Sequence, residues 1–400
     1  MSKNIIFCAD GTWNGPGEPD SDDKTATPTN VFKTFLNLDG LDDPGTTRLA
    51  KEQERSLPGA DGTPQQVAKY LHGVGDSDNF LVHVLGGTLG AGLITRIVRG
   101  YTFVSRNYTP GDKIFLLGFS RGAYTARALA GMISAKGLLD ARKLGLTNAN
   151  KEAAYCLGAA VWFAYRQSAL PTEPNLFDRV FNAVLNVPAF LLRPPREDQL
   201  VSAPIEAIAV WDTVGSLGIP LYSDRLVRLD VFRFADTKLS TNVKWGRHAI
   251  AIDEQRGDFT PTLWDADDRI VQVLFPGAHA DVGGGYPLAN NESGLSDGAF
   301  KWMSDELANL GVRFAAPPSC PPKPNSQGTA HRPWAHPPFD KLLPDPRTFP
   351  KGLCLSKSVL DRIGGAAVIA DPGLQAAAYA PGNLSDYLAG QAAVAGIKVV

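Results

Sequence analysis

The stretch Lys113–Ile133, KIFLLGFSRGAYTARALAGMI, decides the fold. An apolar run, Ile114–Leu117, stops at Gly118; Ser120 and Gly122 follow, and an alanine-rich, helix-like pattern begins at Ala123. The first part reads as a strand buried on both faces and the last as a helix. Glycines two residues before and two after the serine let the backbone turn sharply between them without Cβ clashes. Such a turn exposes the Ser120 hydroxyl and aims the helix N-terminus at any negative charge that develops beside it. Two readings compete at Ser120: a nucleophile held at the tip of the turn, or a small residue that caps the helix.

Strand-like runs recur on both sides of this unit. Asn4–Ala9 (NIIFCA), Gln66–Leu71, Ile205–Val210 and Arg269–Phe275 have the same character, and helix-length segments lie at Gly92–Asn107, Ala123–Lys136 and Asp297–Leu310. Alternation of this kind predicts an α/β fold: a mainly parallel central sheet, helices on both faces, and helical and loop insertions. Functional groups in such sheets gather at the carboxyl ends of the strands. DGTWN, GFSRG, WDTVGS and GAHADVGGGY all fall there.

The bulk composition excludes several classes. With 44% hydrophobic and 20% charged residues in 400, the chain can bury a large core. A formal net charge of −2 and no basic run argue against nucleic acid as a partner. The four cysteines, Cys8, Cys156, Cys320 and Cys354, are scattered without a CxxC pair, so neither a disulfide scaffold nor a zinc site is expected, and no metal or cofactor. The N-terminus lacks the h-region of a signal peptide and no segment is long and apolar enough to span a membrane. The expected location is the cytoplasm of the producing cell, with any export by a route that reads no cleavable leader.

Three stretches read as insertions: an acidic loop over 15–29, a helical insertion at about 149–196, and a proline-rich loop or linker over 315–338. The expected organisation is a catalytic domain over 1–315, the proline-rich loop over 316–340, and a C-terminal segment, 341–400, packed on the same domain. The apolar stretch Leu176–Pro195 offers a lid or an interfacial helix, against the plainer reading that it packs on the core.

A serine hydroxyl needs a base within hydrogen-bond reach and donors for the developing oxyanion. Of six histidines, His72 and His83 precede the serine, and His331 and His336 lie in the proline-rich stretch. His279 follows an apolar strand and heads a glycine-rich loop, which makes it the leading base; His248 begins an apolar run and reads as a core histidine. The acid should fall between serine and histidine in the chain. Asp212, directly after a buried strand, fits that place better than Asp253, Asp258, Asp265 or Asp281. Asp281, two residues past His279, more plausibly shapes its loop by accepting from backbone amides. Backbone N–H groups of Arg121, Gly11 and Thr12 are the oxyanion-hole candidates, and Asp10 supports the Gly11 turn.

The motifs FCADGTWN, GFSRGAYTARALAGMI, WDTVGSLG, RHAIAIDEQRGDFTPTLW and FPGAHADVGGGY, in this order, resemble the catalytic domain of the type VI secretion phospholipase effectors, within the α/β-hydrolase group. The resemblance runs from Asn4 to Trp302, with a weaker echo at Tyr379–Leu384, YAPGNL. The 400 residues leave little room for the further docking region that characterised members carry. The resemblance implies a Ser–Asp–His esterase acting on phospholipid acyl esters through an acyl-enzyme, with the nucleophile on Ser120, the base on His279 and the acid on Asp212. It also implies transient contact with a membrane surface and a secretion-machinery or immunity partner.

Other chemistries fit less well. A haloacid-type phosphatase would need an aspartate where Cys8 stands. A metal-dependent hydrolase could combine Asp10, Asp212, His279 and Asp281 but leaves the serine turn without a purpose. Gly86–Arg96 lacks the lysine and Ser/Thr ending of a phosphate-binding loop. A non-catalytic binding module would not need all three of Ser120, Asp212 and His279.

Overall fold

In the computed structural model the described residues are 2–11, 28–46, 52–72, 91–147, 150–168, 193–214, 237–391 and 398–400. The strands are β1 (Asn4–Ala9), β2 (Leu41–Asp42), β3 (Glu52–Pro58), β4 (Pro64–Leu71), β5 (Lys113–Phe119), β6 (Leu138–Leu139), β7 (Leu200–Val201), β8 (Ile205–Trp211), β9 (Val243–Ala251), β10 (Ile270–Phe275) and β11 (Cys354–Leu355). All but β6 and β7 form one nine-stranded sheet in the order β11-β10-β9-β8-β5-β1-β4-β3-β2. From β4 through β11 every pairing is parallel; β3 runs antiparallel to β4, and β2 to β3, at one edge.

The period-two pattern of β1 sets the two cores. Ile5, Phe7 and Ala9 face helices α2 (Ala91–Asn107) and α3 (Arg121–Lys136), with α5 (Lys151–Ser168) packed on α2; a four-residue turn, α4 (Ala141–Leu144), lies between. Ile6 and Cys8 face the other way, toward α1 (Asn30–Asn37) and, beyond a one-turn helix α6 (His279–Gly283), α7 (Gly294–Asn309). Helices on both faces are what the apolar, two-sided strands require. The expected α/β architecture is the one observed.

Besides the two-residue strands, two long ones, β3 and β9, were not legible as strands. β3 reads EQERSLP, yet Glu52 and Glu54 are buried because Lys69 of β4 pairs with both, Arg99 with Glu52 and Arg106 with Glu54. In β9, VKWGRHAIA, Arg247 pairs with Glu306 of α7 and Lys244 with Glu206 of β8. Charged side chains that find partners across neighbouring elements blur the hydrophobic pattern without preventing the strand.

The proline-rich stretch is fastened to the body. The Cys320 amide donates to Asn37 Oδ1 at 2.6 Å, the Lys323 amide to Asp297 Oδ2 at 3.0 Å, and the His331 amide to Asp281 Oδ2 at 3.0 Å. Further on, β11 extends the sheet beside β10, and α8 (Lys357–Ile363) and α9 (Gly382–Gln391) close a third apolar cluster around Ile250, Leu274 and Leu355. The apolar stretch Leu176–Pro195 lies outside the described residues up to 192, as does most of the 15–29 loop.

Candidate active site

Register alone brings five strand ends together. Ala9 pairs with Gly118, Phe119 with Trp211, Trp211 with Ala249, and Ala251 with Phe275. Asp10–Gly11, Ser120 and Asp212 therefore emerge side by side, with His279 four residues past the end of β10.

Ser120 sits at φ 56° and ψ −124°, a conformation that non-glycine residues adopt only under strain. Its amide donates to Trp211 O at 3.1 Å and its carbonyl accepts from the Tyr124 amide at 3.3 Å. The side chain makes no capping hydrogen bond to α3, so the capping reading fails. The turn is tight enough to need its glycines: a Cβ on Gly118 would strike the backbone of Gly122, and one on Gly122 would strike the backbone of Ala9 and Asp10.

Asp212, also at positive φ (38°), is fully buried. Its Oδ1 accepts from the Ala251 amide at 2.9 Å, and Oδ2 lies 2.5 Å from His279 Nδ1. Because the carboxylate offers only acceptors, Nδ1 carries the proton and Nε2 is free to accept one. The imidazole lies between Phe119, centroid to centroid 4.6 Å, and Phe259, 5.0 Å edge-on. The His279 amide donates to the buried Glu254, 3.2 Å away. Burial lowers the His279 pKa, and the Asp212 hydrogen bond only partly offsets it. Among the described residues, Ser120 Oγ makes no hydrogen bond to this imidazole.

The Asp10–Gly11 turn presses against Ser120: a Cβ on Gly11 would lie 3.2 Å from Ser120 Cβ. The Gly11 amide, however, donates to Asp10 Oδ1 at 2.7 Å. What Gly11 supplies is space for close approach, not a free oxyanion donor. Thr12 lies outside the described residues. Arg121 occupies the first position of α3, where helix amides have no intrahelical acceptor. Asp10 is a latch: its Oδ2 accepts from Tyr70 Oη at 2.6 Å and Thr29 Oγ1 at 2.7 Å, joining β1, β4 and the start of α1. Burial raises its pKa to about 6, against these hydrogen bonds and the charge of Arg96.

Asp281 accepts from the Ala278 amide at 2.9 Å, at the start of the His279 loop. It also holds His331, whose Nδ1 stands 2.7 Å from Asp281 Oδ1 and whose Nε2 stands 3.2 Å from Glu292. His248 is a fully buried positioning residue for the Asp212 turn: Nε2 accepts from the Thr213 amide at 3.1 Å. Burial, with the charge of Arg127, lowers its pKa to about 3, so it stays neutral. Asp10, Asp212, His279 and Asp281 do not form one ligand cluster. Each carboxylate has its own partners, and no group of three His, Cys, Asp or Glu among the described residues is placed to hold a metal ion.

Sequence reasoning missed Arg347. Its guanidinium forks onto Asp212, Nη1 to Oδ1 at 2.7 Å and Nη2 to Oδ2 at 2.9 Å. Nη1 also donates to Ala251 O at 2.7 Å, and Nη2 to Phe259 O. Burial acts to raise the Asp212 pKa, but the Arg347 charge and the His279 contact outweigh it and hold the carboxyl well below the usual range.

Comparison with known proteins gives a match over residues 3–306 to the family described as "T6SS, Phospholipase effector Tle1-like, catalytic domain". An uncharacterized protein of Saccharomyces cerevisiae is 28% identical over 270 residues, covering 64% of this chain and 32% of that protein. Among solved structures, an uncharacterized protein from Pseudomonas aeruginosa aligns at 16% identity and TM-score 0.40, over 78% of this chain and 46% of that one. A Tle1 effector solved bound to the VgrG spike from the Type 6 secretion system aligns at 15% identity and TM-score 0.35, over 72% of this chain and 51% of that one. The chain thus spans 32% of the curated relative's length.

Proposed function

The chain belongs to the Tle1-like catalytic domain family of type VI secretion phospholipase effectors, and from that premise we propose that it is a serine esterase cleaving phospholipid acyl esters. The observation that carries this reading is the His279–Asp212 pair, 2.5 Å apart, one strand end away from a strained, uncapped Ser120.

His279 Nε2 takes the Ser120 proton as Oγ attacks the ester carbonyl, and Asp212 steadies the imidazolium through Nδ1–H. The oxyanion of the tetrahedral intermediate meets the Arg121 amide at the N-terminus of α3. Collapse releases the alcohol with the proton from His279 and leaves an acyl-serine. Water, deprotonated by the same imidazole, then frees the fatty acid. Burial of His279 suits this work because it keeps the imidazole neutral and able to accept.

Contact with a lipid surface is part of the proposal. Leu343 is 92% exposed, on the loop that carries Phe339; Phe339 packs on Phe259, and Phe259 on His279. The family description supports a partner in the secretion machinery as well.

Rates on phospholipid vesicles, monoglycerides and soluble aryl esters test the reading. Faster release of fatty acid from vesicles than from either alternative, abolished in Ser120→Ala, is expected. Turnover of aryl esters alone would remove phospholipid as the substrate, and persistence in Ser120→Ala would remove the serine.

A further inference from the structure

We propose that Arg347 is a positioning residue of the catalytic apparatus, clamping Asp212 so that the C-terminal segment, outside the family match, completes the site. The inference rests on the esterase reading above and deepens it.

The geometry is specific. Both Asp212 oxygens are bound by one guanidinium, in the two-pronged arrangement that fits a planar fork to a carboxylate. Oδ2 is shared between Arg347 and His279, so the fork fixes the rotation of the carboxyl and with it the height at which the imidazole is held. Arg347 is itself immobilised. It is 5% exposed, and its backbone carbonyl accepts from Asn383 Nδ2 at 3.1 Å, which also donates to Ile252 O at 2.9 Å. Asn383 belongs to the Tyr379–Leu384 stretch, YAPGNL, whose Tyr379 hydroxyl donates to Asp253 at 3.1 Å. That stretch therefore holds Arg347 against the end of β9.

Charge matters as much as orientation. A buried carboxylate without a partner takes up a proton and can no longer receive the Nδ1–H. Arg347 keeps Asp212 ionised. It also cancels much of the negative charge that would otherwise raise the His279 pKa. The other charged groups facing His279, Arg256 and Glu254, are paired with each other at 2.8 Å. Removing Arg347 leaves two outcomes. Asp212 stays ionised and pulls the imidazole pKa up, or Asp212 protonates within the working range and must be deprotonated for turnover. Both move the acid limb of the rate profile to higher pH.

The test is kcat and KM of wild type, Arg347→Met and Arg347→Lys on a soluble aryl ester across acidic and neutral pH, with thermal unfolding of each. Arg347→Met is expected to lower kcat by about a hundredfold with KM unchanged and to move the acid limb up by about one pH unit. Arg347→Lys keeps the charge but loses the fork, so kcat falls by roughly tenfold with the limb close to wild type. If Arg347→Met does not fold, Arg347→Lys decides. Wild-type kcat in Arg347→Lys overturns the proposal, as does an unmoved limb in folded Arg347→Met. A wild type that hydrolyses no ester overturns the esterase reading instead.

Discussion

The Nδ1 atom of His279 stands 2.5 Å from Oδ2 of Asp212, a residue 67 positions earlier in the chain. Parallel register, not sequence proximity, makes the contact: β8 ends beside β9 and β9 beside β10, so the residues just past β8 and β10 meet above the intervening strand. Burial lowers the His279 pKa from its ordinary 6.5. A base must be neutral to work, so kcat/KM on a soluble ester is expected to stay flat through neutral pH and to fall only below 6.5. A limb at or above that value would mean that Asp212 dominates over burial.

Ser120 holds positive φ without a side-chain hydrogen bond to its own helix. Strain of this kind costs about 1–3 kcal/mol and persists because the surrounding strands impose it. Ser120→Gly is expected to raise unfolding stability by about 1 kcal/mol in denaturant titration while abolishing turnover. A less stable glycine variant would mean that the serine side chain contributes packing that outweighs the strain.

Gly122→Ala is expected to be far more damaging than a glycine-to-alanine change in an ordinary helix, which is mildly favourable. The added methyl meets the backbone of Ala9 and Asp10, so α3 must retreat from the sheet. A loss above about 3 kcal/mol is expected from such overpacking, with esterase activity falling alongside. A neutral outcome by thermal melting would show that the helix has slack.

His331→Gln tests the strap that ties the proline-rich stretch to the His279 loop. Burial opposes charging of His331, but Asp281 and Glu292 win and its pKa is raised. A raised pKa in the folded state means that the stabilisation is full below 6.5, the unfolded value, and is lost as pH rises through the folded value. The stability gap between wild type and His331→Gln should therefore be widest in mild acid and shrink toward alkaline pH. A gap that widens with pH would reverse the assignment of charge.

The sequence shows the parts of the site that lie at strand ends in chain order. Ser120 is announced by its flanking glycines, and Asp212 and His279 by the apolar runs before them. The strands β3 and β9 are hidden because their charged residues are neutralised by partners on other elements, such as Lys69 for Glu52 and Glu306 for Arg247. Arg347 is hidden for a different reason. It lies in PDPRTFP, with no periodicity, and its partner is 135 positions away. Gly11 was legible as a close approach to Ser120, but the folding of the Asp10 carboxylate onto its amide was not. Side-chain bonds to a neighbouring amide depend on rotamers that no residue pattern encodes.

The central claim is that Ser120 is a nucleophile activated by His279. Labelling with a fluorophosphonate, read by mass spectrometry of the adduct peptide, measures it most directly. One adduct on Ser120, absent in Ser120→Ala and formed far more slowly in His279→Ala, is the expected result. Folded protein that takes up no label, or that labels equally fast without His279, would contradict it.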